Sequence, residues 1–170
     1  ANNIHSNILR GVVLIGTGIE FYNNRVHSNA WSVETDGTGN LIYNNTIYNN
    51  GSGTFCILIT SGTGNKAQNN ICYANAQNTI QDNGTSSTIS NNLTTDPSFV
   101  DAASSNFHLN VGSSAINAGA TIAIVTIDAD GIARPQGPAW DIGAYEKVIV
   151  ATPPPVGGVD ANIFLPSGLR

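Results

Sequence analysis

Residues 37–50 read GTGNLIYNNTIYNN: a glycine-flanked turn, then twice over an apolar residue, a tyrosine and a pair of asparagines. Asparagine is disfavoured in helices and strands, and its amide is costly to bury without partners. Its regular return beside Ile and Tyr calls for a fold in which the amides satisfy one another.

Outward from this stretch the pattern recurs. The turn GTG begins at Gly16, Gly37 and Gly62, with GTS at Gly84, giving intervals of 21, 25 and 22 residues. The extra residues of the long interval fall around GSGT (51–54) and read as a loop insertion. One asparagine column keeps step: Asn2, Asn24, Asn45, Asn70 and Asn92. A second lies five residues further on each time: Asn7, Asn29, Asn50 and Asn75. Apolar residues alternate with polar ones around these columns, as strands with one buried face require. The inward sets read Phe21, Ile42, Ala67 and Ile89, then Ile4, Val26, Ile47 and Cys72. A third set, four residues before each turn, reads Val12, Val33, Leu58 and Ile80.

Three short strands per coil of about 22 residues predict an all-β chain, a right-handed parallel β-helix of about four coils. Stacked coils lie one strand spacing apart, about 4.8 Å, so equivalent side chains sit directly above one another. An amide carries donors and an acceptor, and bonds both to the next amide and to corner backbone. Asn also tolerates the left-handed conformation that a sharp corner requires.

The segments NNRVHSN, NNTIYNN and NNICYAN resemble the repeat of bacterial secreted parallel β-helix proteins, the superfamily that includes pectate-lyase-like polysaccharide lyases. The resemblance covers residues 1–94 and implies a fold; one fold hosts many functions. Residues 95–147, with TDPSF, GSSAINAGA and DIGAYE, resemble the closing segment of such proteins, which implies a cap over the apolar last coil. Residues 148–170 read as a Pro/Gly-rich linker and tail, and NIFLPSGLR resembles short surface-sorting tails. With Ala1 opening in mid-repeat and no Met, the chain reads as a piece of something longer.

Only 10% of residues are charged, against about 25% in ordinary soluble domains, so the surface must be built from Asn, Thr, Ser and Gly. A net charge of −5 provides no basic stripe for phosphates, which argues against a nucleic-acid partner. No run approaches the roughly 18 apolar residues of a membrane span.

For chemistry, a lyase needs a Lys or Arg base and usually a carboxylate-held cation; a hydrolase needs converging carboxylates. Arg10, Glu20, Glu34 and Asp36 form the nearest thing to a cluster, and a solvated polar face accounts for them. Outward rings offer a sugar platform instead: His5, His27, Tyr48 and Tyr73 in one column, Tyr22 and Tyr43 in another. Simple stacking between coils is the plainer reading of both. Paired histidines suggest a metal only weakly, since no carboxylate or Cys aims at them. Asp128 and Asp130 in DADG suggest a calcium loop, but Arg134 offers an internal countercharge, and a salt-bridged cap is the preferred reading. Cys56 and Cys72 point inward and read as buried thiols in preference to a disulfide. The glycosylation sequons at Asn44, Asn50, Asn83 and Asn92 are what an Asn/Ser/Thr-rich chain yields by accident. A Thr17, Thr38, Thr63 and Thr85 ice-binding column is disfavoured by its Gly-flanked corners.

The expectation is therefore an extracellular or cell-surface module, structural, adhesive or carbohydrate-contacting, without its own catalytic site. The alternative is part of a polysaccharide lyase or glycoside hydrolase whose catalytic coils lie elsewhere. Polysaccharide or cell-envelope components are the expected partners, self-association through the first coil a further one, and no cofactor is expected beyond the calcium alternative.

Overall fold

A computed structural model describes residues 1–51 and 55–148; the linker and tail expected over 148–170 lie outside these but for Val148. The first coil contains β1 (Asn3–His5), β2 (Val12–Thr17) and β3 (Glu20–Tyr22), and the second β4 (Arg25–His27), β5 (Val33–Thr38) and β6 (Leu41–Tyr43). The third contains β7 (Thr46–Tyr48), β8 (Ile57–Ile59) and β9 (Lys66–Gln68), and the fourth β10 (Ile71–Tyr73), β11 (Ile80–Asp82) and β12 (Thr88–Ser90). Equivalent strands pair in parallel, so that β1-β4-β7-β10 form sheet A, β2-β5-β8-β11 sheet B and β3-β6-β9-β12 sheet C. This is a parallel β-solenoid of about four turns, and no helix among the described residues is long and apolar enough to cross a membrane.

The interior is a stack of columns, with Val26, Ile42, Ile47, Ile57, Ile59, Ala67 and Cys72 fully buried. One column is corrected. Ile57, not Leu58, aligns with Val33 and Ile80, and Leu58 faces outward opposite Glu34. The turn after β8 holds one residue more than its neighbours, and a one-residue slip exchanges the faces of a strand.

The asparagine columns are hydrogen-bonded ladders. The backbone N–H and Nδ2 of Asn24 both donate to Asn45 Oδ1, at 2.9 and 3.1 Å, and those of Asn45 donate likewise to Asn70 Oδ1. The remaining Nδ2 hydrogen reaches back to a carbonyl of the previous coil, as Asn45 does to Phe21 O at 2.9 Å. Asn2, Asn70 and Asn92 complete this ladder, and Asn7, Asn29, Asn50 and Asn75 form the second. A third, shorter ladder at the GTG corner joins Ile19 N–H to Asn40 and Asn40 to Asn65. Gly37 is required there because a Cβ would overlap the Gly16 carbonyl of the coil below.

The left-handed backbone is carried not by the ladder asparagines but by the residue before each. Asn23, Asn44, Asn69 and Asn91 have φ of 57, 48, 57 and 52°. That geometry turns their side chains outward, where they hold residues 95–147. Asn23 Nδ2 donates to Ile127 O at 2.7 Å, Asn44 Nδ2 to Asp141 O at 3.1 Å, and Asn69 exchanges two bonds with the Ala120 backbone. The segment expected to close the last coil thus lies along the flank of the stack, over sheet A and the adjoining edge of sheet C. Ile89 on the last coil remains 41% exposed. Within the segment, β13 (Phe99–Asp101) and β14 (Asn106–Leu109) pair antiparallel, joined by a short 3-10 turn.

Cys56 and Cys72 form a disulfide, with 5.7 Å between their Cα atoms, in place of the expected free thiols. Cys56 precedes β8 in the third coil and Cys72 lies in β10 of the fourth. Both point into the same narrow corner between sheets A and B, within the Cα separation that a disulfide spans.

Candidate functional site

The outer faces differ in what covers them. On sheet A, Phe107 from the C-terminal segment sits edge-on to His27 at 5.0 Å and beside Tyr48 at 5.4 Å. Phe99 packs edge-on to Tyr48, and Tyr73 joins Leu93, Leu109 and Ile142. On the edge of sheet C, Tyr22 and Tyr43 lie under Ile122, Val125 and Trp140. Two of the rings expected to face solvent are corrected: Tyr43 is 4% exposed and His27 5%, and neither presents a face on which a sugar could stack, while Tyr22, Tyr48 and Tyr73 are half-buried. Burial, then the charge of Glu20, pushes the Tyr43 hydroxyl pKa up. Burial also pushes the His27 pKa down, assisted by His5, stacked at 5.0 Å, and by Arg25.

The carboxylates of the segment serve its own backbone. Asp128 Oδ1 accepts the N–H groups of Asp130 and Ile132, and Oδ2 that of Glu146. Asp130 turns away to His108, at 2.7 Å. Both Asp128 oxygens are thus engaged by backbone donors and Asp130 Oδ2 by the His108 ring. Arg134 and Glu146 form a fully buried ion pair at 2.5 Å, the salt bridge expected of this motif from its charges. Burial lowers the Arg134 pKa, while Glu146, Asp128 and Asp141 pull it back up. No group of three His, Cys, Asp or Glu side chains suited to a metal occurs among the described residues.

Sheet B is different. Its outer face carries Val13 and Ile15 from β2, Glu34 and Asp36 from β5, and Leu58 from β8. At its entrance the strand register continues through Arg10, Trp31 and Phe55, an outward column one residue per coil. Trp31 is 42% exposed and Ile15 73%. Leu9, Arg10 and Trp31 border an open hollow of about 500 Å³, and Trp31 and Phe55 flank a smaller crevice with Glu34 and Leu58.

Of the four polar candidates, the structure brings two into contact: Arg10 Nη1 lies 2.9 Å from Glu34 Oε2. Asp36 accepts a short hydrogen bond from the Ser61 hydroxyl on the next coil. Glu20 stands apart on β3, in sheet C. Trp31 and Phe55 escaped the sequence reading because they lie in the sheet A to sheet B connection, whose length changes from coil to coil. A signal was present: tryptophan stands there in an otherwise Asn- and Ser-rich link. No protein-family model matches the chain, and no curated protein or solved structure shows significant similarity to it.

Proposed function

We propose that the chain is a secreted or cell-surface β-helix module, right-handed like the superfamily it resembles, which contacts carbohydrate through the outer face of sheet B without catalysing its breakdown. Trp31 carries the reading: a large ring left 42% exposed, with Phe55 one coil spacing away, on a face the C-terminal segment does not cover. Aromatic faces suit the apolar side of a pyranose, and the Arg10–Glu34 pair at the rim offers donors and acceptors to hydroxyl groups. The Cys56–Cys72 disulfide supports an oxidising compartment. Against catalysis, Arg10 is engaged by Glu34 and is no free base, and Glu20 does not oppose Glu34 across a common groove.

Electrophoresis through gels containing soluble polysaccharide tests the proposal. Wild-type protein should be retarded, Trp31→Ala should lose most of the retardation, and Tyr73→Phe should keep it. Equal retardation of wild type and Trp31→Ala would remove sheet B as the contact face. Unsaturated products or new reducing ends on incubation would overturn the non-catalytic part.

A further inference from the structure

We infer that the sheet B face selects uncharged polysaccharide chains and rejects polyuronates. The inference rests on the reading of this face as sugar-contacting and adds the charge class of the ligand. Its basis is the set of fixed charges around Trp31. Glu34 and Asp36 alternate with inward Thr35 on β5, so both carboxylates project from the same face, about 7 Å apart along the strand. The cation beside them is Arg10, and its guanidinium is committed to Glu34 at 2.9 Å. Asp36 has the Ser61 hydroxyl as partner and makes no ion pair among the described residues. The other described cations lie elsewhere: Arg25 under Tyr145, Arg134 buried with Glu146, Lys66 on sheet C and Lys147 in the C-terminal segment.

A uronate carboxylate arriving over Trp31 therefore meets an Arg already neutralised and an Asp that is not. It would have to displace Glu34 or lie near Asp36, and either route opposes binding. A hydroxyl-bearing neutral ring meets the same groups favourably, because carboxylates are strong acceptors for O–H donors. The column Arg10, Trp31, Phe55 climbs one coil at a time, about 4.8 Å per step. A chain lying along the solenoid axis would place successive rings on Trp31 and Phe55 with its hydroxyl edge toward Glu34 and Asp36.

The test compares polygalacturonate with the same polymer after its carboxyl groups are reduced to alcohols, alongside a soluble neutral β-glucan, using wild type, Trp31→Ala and the double variant Glu34→Gln/Asp36→Asn. At about 50 mM salt the reduced polymer should bind wild type at least about tenfold more tightly than polygalacturonate, and the gap should narrow at about 500 mM. The double variant, checked for native circular dichroism, should bind polygalacturonate about tenfold better than wild type does, because Arg10 is released. Binding of polygalacturonate as tight as that of its reduced form, lost in Trp31→Ala, would overturn the selectivity and leave the contact face standing. Absence of binding to all three polymers, or binding indifferent to Trp31→Ala, would overturn the contact face and the selectivity together.

Discussion

At the scale of single residues, the doublet Asn44-Asn45 divides two tasks between chemically identical neighbours. Asn45 points inward and is fully buried as a ladder rung; Asn44 takes the left-handed turn and bonds the C-terminal segment. Asn45→Ala removes an acceptor for two Asn24 donors and a donor for Phe21 O and Asn70 Oδ1. Leaving such groups buried and unpaired should cost about 3–4 kcal/mol. Asn7→Ala, at the exposed first rung, should cost about 1 kcal/mol or less. Urea midpoints of the two variants check the difference, and equal losses would count against the ladder as a source of stability. The ladder columns were legible because the periodicity carried them at a fixed five-residue offset. The role of the preceding Asn was not, since facing outward says nothing about which distant segment will cover it.

At the scale of coils and strands, the strand order and most inward columns followed from alternation. The exceptions lie beside the variable connections. Ile57 takes the place expected for Leu58 because the turn after β8 is longer, and the repeat does not decide between free thiols and a disulfide because the separation of Cys56 and Cys72 across two coils depends on the loop between β7 and β8. The bridge closes a loop of 16 residues, which should contribute about 3 kcal/mol by restricting the unfolded chain. Cys56→Ala/Cys72→Ala should therefore unfold at distinctly lower urea than the oxidised wild type, while reductant should lower the wild type toward the variant. A wild-type midpoint unchanged by reductant under unfolding conditions would argue that the bridge is absent.

At the scale of the molecule, the C-terminal segment decides which face is free. Its lateral docking was not readable from the repeat, because the alternation marks a face as outward without saying whether solvent or another segment lies beyond it. The docking buries His27 beside His5, Arg25 and Phe107, and burial lowers its pKa from about 6.5. Below pH 6.5 the unfolded chain takes up the proton more readily than the folded one. Stability should thus be full above that pH and decline as pH falls toward 5, and His27→Gln should flatten the decline over that interval. Urea titrations at a series of pH values measure the slope; identical slopes for the two proteins would contradict the burial.

The division into covered and open faces is tested most directly through the two tryptophans, Trp31 at 42% exposure at the entrance to sheet B and Trp140 at 5% in the C-terminal segment, packed against Tyr43. Trp140→Phe leaves Trp31 as sole reporter, and Trp31→Phe leaves Trp140. Acrylamide quenching, with and without a saturating soluble neutral β-glucan, should quench Trp31 strongly in the free protein and weakly in the complex, while Trp140 is protected in both. Trp31 quenching unaltered by the polysaccharide, or Trp140 quenched as readily as Trp31, would contradict the assignment of sheet B as the free, sugar-contacting face.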